Sequence, residues 1–134
     1  SDDRPLFIFG LPFHRNDLNY ADDFRPCIKN AVIDGLTIIQ SEKDSKVEEY
    51  IQIYDRVENL FLKNVIVSSD DNCEPVETFI GFKTFKNCER KGKIKNLVTH
   101  DVYMPNVKTL LKEPQQVEQI SKTWYNLVRK RGGA

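Results

Sequence analysis

A chain of 134 residues suits one domain with a core of useful size. Its composition, 40% hydrophobic and 30% charged, fits an object with much surface for its volume. Lys+Arg and Asp+Glu both number 20, so the net charge is zero, and a basic face of the kind nucleic acid requires is not expected. No apolar run approaches the roughly 20 residues of a membrane-spanning helix, and nothing reads as a signal peptide, which says little about residence in a chain that opens on Ser1.

Taken in order, the chain opens with a strand at Pro5-Leu6-Phe7-Ile8-Phe9-Gly10-Leu11, followed by a long loop over 12–27. Residues Ile28 to Ile38 read as two short strands, like the copy further on in which Leu60 and Leu62 alternate with Phe61, and Val65 and Val67 with Ile66. A third strand starts at Val47-Glu48-Glu49-Tyr50-Ile51-Gln52-Ile53, and a fourth region runs from Val57 to Val67. After the turn-rich Ser68-Ser69-Asp70-Asp71-Asn72-Cys73 come Val76 to Phe82, an eight-residue insertion containing Arg90 and Lys91, and Ile94 to Met104. Val107 to Glu113 and a weaker segment from Val117 through Ile120 to Leu127 complete the series. Arg129, Lys130 and Arg131, beside Gly132-Gly133, read as a solvated tail.

Two internal repeats organise these segments. Ile28–Ile38, Val57–Val67 and Ile94–Met104 align without gaps over eleven residues, with Asn30, Asn59 and Asn96 in one column and Gly35, Asn64 and Asp101 in another. Val47, Val76 and Val107 begin the copies of a shorter repeat, and Pro5–Leu11 looks like the same strand. The apolar alternation slips by one at Glu58-Asn59 and again at Lys63-Asn64. A slip would turn the following side chains to the wrong face of a flat sheet, so the backbone is expected to bend at both columns. Asn, Gly and Asp tolerate the left-handed angles of such bends. Lys29, Glu58 and Lys95 should face outward, as should Asp34, Lys63 and His100. Tyr50, in the column of Phe79 and Leu110, should be core, and Leu62, Val65, Leu97 and Val102 should be buried. The expected fold is all-β: a right-handed parallel β-helix of about four short coils, with rungs over about 5–113 and a carboxyl-terminal cap and tail over 114–134. Residues 114–128, with Trp124, Tyr125 and Leu127, would close that end as a degenerate rung or a helix. A leucine-rich repeat is the second choice, weakened because its next Asn column falls on Val65.

This rung pattern resembles the pectin-lyase-like superfamily, which includes polysaccharide lyases, polygalacturonase-type hydrolases and tailspike depolymerases. The resemblance lies in the repeat alone. Of the polygalacturonase motifs, only Asp70-Asp71 and Lys93-Ile94-Lys95 have counterparts here, and the Asn-Thr-Asp and Gly-His-Gly motifs are missing. What it implies is an auxiliary, non-catalytic segment, the carboxyl-terminal part of a larger carbohydrate-active protein, exposed outside a cell or on a phage. The alternative is a surface or phage-structural interaction module that binds protein or itself.

Candidate site residues follow from loop placement. The long loop gathers His14, Arg15, Asp17, Asp22, Asp23 and Arg25, with Tyr20 and Phe24, and long loops on rigid scaffolds carry ligand contacts. Asp70 and Asp71 are the second choice, although adjacent aspartates do not offer two carboxylates across a glycosidic bond. His100 and Asp101, as strand neighbours, should point apart. Cys27, Cys73 and Cys88 read as free thiols, a disulfide being open to an exported protein. No metal and no cofactor is expected. The expected partner is a polysaccharide, with no nucleic acid and no membrane, and a homo-oligomer through open coil edges.

Overall fold

The computed structural model describes residues 5–10, 28–41, 47–70, 73–84 and 91–122. Their elements are β1 (Phe7–Phe9), β2 (Ile28–Asp34), β3 (Thr37–Gln40), β4 (Glu49–Ile53), β5 (Arg56–Ser69), β6 (Val76–Phe82), β7 (Lys93–Tyr103), β8 (Val107–Leu111) and β9 (Val117–Lys122). A single 3-10 turn, Pro114–Gln116, precedes β9.

The expected right-handed parallel β-helix of about four short coils with a carboxyl-terminal cap is not what forms. The strands assemble as two parallel sheets. The first has the order β1-β4-β6-β8 and the second β2-β5-β7-β9, with β3 also on β5. The reason lies at the expected corners. Strand β5 runs for 14 residues and β7 for 11, without a break at either bend column, so stretches expected as separate short faces belong to one sheet. Left-handed backbone occurs at only one column: Gly35 (φ 86), Asn64 (φ 52) and Asp101 (φ 57). The Asn30, Asn59 and Asn96 column bends without it. There Glu58 and Asn59 both point away from the core while Val57 and Leu60 are buried. Part of the expected cap is also a sheet strand, since β9 pairs with β7. Trp124, Tyr125 and Leu127 lie outside the described residues.

Residues aligned in the sequence are nevertheless paired in space. Ile28 lies beside Val57, Val57 beside Ile94 and Ile94 beside Val117. Asn59 Nδ2 donates to Asn30 Oδ1 at 2.8 Å and Asn96 Nδ2 to Asn59 Oδ1 at 2.9 Å, a side-chain ladder across three strands. In the first sheet Val76 pairs with Val107 and Ile51 with Ile80, as the short repeat requires. Strand β1 differs: Phe7 pairs with Ile51, two residues further along than the aligned segments place it. A shift of two keeps the same faces, so the apolar pattern did not reveal it.

One core joins the two sheets. Ile51, Ile53, Phe79, Ile80 and Phe82 of the first pack with Val57, Leu60, Leu62, Val65, Val67, Ile94, Leu97 and Val102 of the second. Burial of this kind is the main driving force for folding. Tyr50 is buried too, its ring against Phe79 at 5.9 Å and its hydroxyl donating to Gln40 Oε1 at 2.9 Å. Burial pushes the Tyr50 pKa up, opposed by a hydrogen bond with Asn106.

Candidate functional site

The first sheet carries a polar concavity. In β4, Ile51 and Ile53 enter the core, so Gln52 between them points to the other face. Glu49 joins Gln52 there, because Tyr50 and Ile51 are both buried and the alternation breaks between them. The neighbouring strands repeat the arrangement, with Thr78 pairing Glu49 and Gly81 pairing Gln52. A cleft of about 420 Å³ results, lined by Glu48, Glu49, Glu77, Thr78, Thr109, Leu111 and Lys112.

Glu49 is its central group. It is only 3% exposed, and both of its donors converge on one oxygen. Gln52 Nε2 donates to Oε1 at 2.8 Å, and Lys83 Nζ lies 2.9 Å from the same atom. The second oxygen, Oε2, is buried and has no hydrogen-bond partner among the described residues. Space for this carboxylate comes from Gly81. A Cβ there would stand 2.9 Å from Glu49 Cδ and 3.0 Å from Oε2, closer than real contacts allow. Glycine inside a strand often marks such a close approach. Burial lowers the Lys83 pKa, but the hydrogen bond and charge of Glu49 outweigh it, leaving the ammonium above its ordinary value of 10.5.

The rim is polar and fixed by local bonds. Thr109 Oγ1 donates to the Glu77 carbonyl at 3.0 Å, and Thr78 Oγ1 to the Ile80 carbonyl at 3.4 Å. Lys108 Nζ meets Glu77 Oε2 at 2.8 Å in the open, which raises the Lys108 pKa. Chemically the cleft offers an acceptor without a donor, two threonine hydroxyls that can accept, and the Lys112 ammonium. Among the described residues no group of three His, Cys, Asp or Glu is placed to hold a metal.

Most of the residues singled out in the sequence fall outside the described residues. His14, Arg15, Asp17, Asp22, Asp23 and Arg25 lie outside the described residues, as does Asp71. Asp70 is exposed and belongs to a turn: its N–H donates to the Gln40 carbonyl at 3.0 Å, and its carbonyl accepts from Cys73 N–H at 3.2 Å. Cys73 is a half-buried free thiol whose Sγ lies 3.3 Å from the Gln40 carbonyl, while Cys27 and Cys88 lie outside the described residues. One expectation is reversed. His100 Nδ1 and Asp101 Oδ2 approach to 3.1 Å, because the left-handed backbone of Asp101 breaks the strand alternation that would have parted them. No sequence signal of charge pattern or motif singled out Glu49. Its column holds Glu49, Thr78 and Thr109, and the nearest clue was Gly81 inside an otherwise apolar strand.

A scan against protein-family models, and searches of the curated proteins and of the solved structures, find no match to this chain.

Proposed function

We propose that this chain is a non-catalytic carbohydrate-binding module whose cleft on the first sheet takes up a hydroxyl-rich, neutral ligand. The observation that carries this reading is Oε2 of Glu49, which has no hydrogen-bond partner among the described residues. A buried oxygen without a donor costs about 1–3 kcal/mol, and a ligand that supplies an O–H returns that cost as affinity. Hydrogen bonds to a charged acceptor are shorter and stronger than neutral ones. Sugar hydroxyls both donate and accept, which suits a cleft where Glu49, Thr78 and Thr109 accept and Lys112 donates. Among the described residues the cleft is lined by hydrogen-bonding groups and Leu111, with no aromatic side chain.

Binding without cleavage follows from the way Glu49 is held. Glycoside hydrolysis uses two carboxyl groups across the bond, one of them donating a proton. Lys83 and Gln52 fix Glu49 as an acceptor, a role that suits positioning. A glycan array of neutral and acidic oligosaccharides, followed by calorimetry, tests the reading. Neutral glycans should bind, Glu49→Gln should weaken them by about tenfold or more, and no reducing ends should be released. Binding unaffected by Glu49→Gln, or no glycan bound at all, would remove the proposal.

A further inference from the structure

The face of the second sheet turned from the core carries a different pattern, independent of the cleft. Val32 pairs with Phe61 and Phe61 with Val98, so three apolar side chains form one row across β2, β5 and β7. Val32 is 59% exposed, and Phe61 and Val98 are half-buried. Two charged rows flank it. On one side Asp34 pairs with Lys63 and Lys63 with His100, whose ring meets Asp101. On the other, Lys29, Glu58 and Lys95 sit between the paired Ile28-Val57-Ile94 and Asn30-Asn59-Asn96 positions.

The signs are opposite across the apolar row on β2, which carries Lys29 and Asp34, and on β5, which carries Glu58 and Lys63; on β7 Lys95 stands across from His100, with Asp101 one residue beyond that row. None of Lys29, Glu58, Lys63 and Lys95 makes an ion pair among the described residues.

We propose that this face docks a second copy of the chain as a two-fold symmetric dimer, with the axis running along the Val32-Phe61-Val98 row. Such an axis sets each strand antiparallel to its own copy and exchanges the two flanks. Lys29 then faces Asp34 of the copy and Glu58 faces Lys63, each pair occurring twice. An isologous interface must be self-complementary in this sense. A foreign partner would have to supply the alternating signs itself, whereas a second copy already carries them. Sheets packed face to face stand about 10 Å apart with strands roughly aligned, which leaves room for the apolar row between them.

Sedimentation equilibrium of the purified chain tests this, with circular dichroism confirming that each variant is folded. The chain should dimerise below about 100 µM, and more weakly at high salt. Glu58→Lys would set two ammonium groups opposite each other at both symmetric positions and should weaken the dimer about tenfold or more. Lys63→Glu should do the same. The double variant E58K/K63E should recover the dimer, because both members of each pair are exchanged together. If either β5 variant fails to fold, Lys29→Glu, Asp34→Lys and their double replacement repeat the design on β2. A monomer at every concentration, an open series of larger assemblies, a dimer indifferent to Glu58→Lys, or no recovery in the double variant would each overturn the proposal.

Discussion

A carboxylate withdrawn from water is stable when donors match its oxygens, and at Glu49 both donors sit on Oε1. This couples stability to alkaline pH through Lys83, whose folded-state pKa is raised. A raised pKa contributes stability that is fully present below the unfolded value of 10.5 and is lost as pH rises through the folded value. Thermal melting followed up to strongly alkaline pH should therefore show a loss beginning near that value. Lys83→Arg, which stays charged, should delay part of the loss, and an unchanged alkaline profile would dissociate it from this pair. Leu62 gives a second test at the same scale. It is fully buried between Ile33 and Thr99 of the adjoining strands. Leu62→Asp would leave an unpaired charge there, at a cost of at least about 3 kcal/mol. Soluble Leu62→Asp protein with an unchanged denaturation midpoint would contradict the burial. Leu62 was readable from its alternation with Phe61. Glu49 was not, because what buries it is a break in alternation at Tyr50-Ile51 and a missing side chain at Gly81.

Along single strands, the bend column and the Asn ladder make separate demands. Asn64 adopts φ 52 and donates through Nδ2 to Asp34 Oδ1 at 2.9 Å in the open. Asn64→Ala should cost about 1–2 kcal/mol, the left-handed penalty of a residue with a Cβ and no compensating local bond. Asn64→Gly should cost much less, since glycine accepts that backbone freely. Equal losses in denaturant midpoints would mean the conformation is not what matters. Asn59 sits mid-ladder, with one bond to Asn30 and one from Asn96. Asn59→Ala should therefore destabilise more than Asn30→Ala, by about 1 kcal/mol, one hydrogen bond. Register was legible at this scale because identical side chains recur at a fixed place in each copy. The fate of the bends was not. Composition at Asn30, Asn59 and Asn96 resembles that at Gly35, Asn64 and Asp101, yet the first column bends through two successive outward residues and the second through left-handed backbone. Both turn the chain, and only φ distinguishes them.

At the scale of the whole molecule, two parallel sheets share one core, and among the described residues each sheet ends in strands paired on one side only. Strand β9 covers β7, leaving its own far edge at the end of the second sheet. Removing residues 117–134 would expose the long edge of β7, and exposed edges template pairing with other chains. The shortened chain should aggregate on concentration, as light scattering would show, and an unchanged scattering profile would mean that β9 is dispensable. The sequence allowed strand partners to be read, because apolar columns and repeat spacing specify neighbours. It did not distinguish closed short coils from two sheets, because that choice depends on whether β5 and β7 stay continuous through their bends. That is a matter of a few backbone angles.

The claim tested most directly is that the cleft of the first sheet is the binding site. Backbone amide shifts should be followed by nuclear magnetic resonance during titration with a neutral oligosaccharide taken from the array. Changes should be confined to Glu49, Thr78, Gly81, Thr109 and Lys112, and Glu49→Gln should abolish them while leaving the rest of the spectrum in place. Shifts centred on the Val32-Phe61-Val98 row with the cleft silent, or a titration unaltered by Glu49→Gln, would contradict the account.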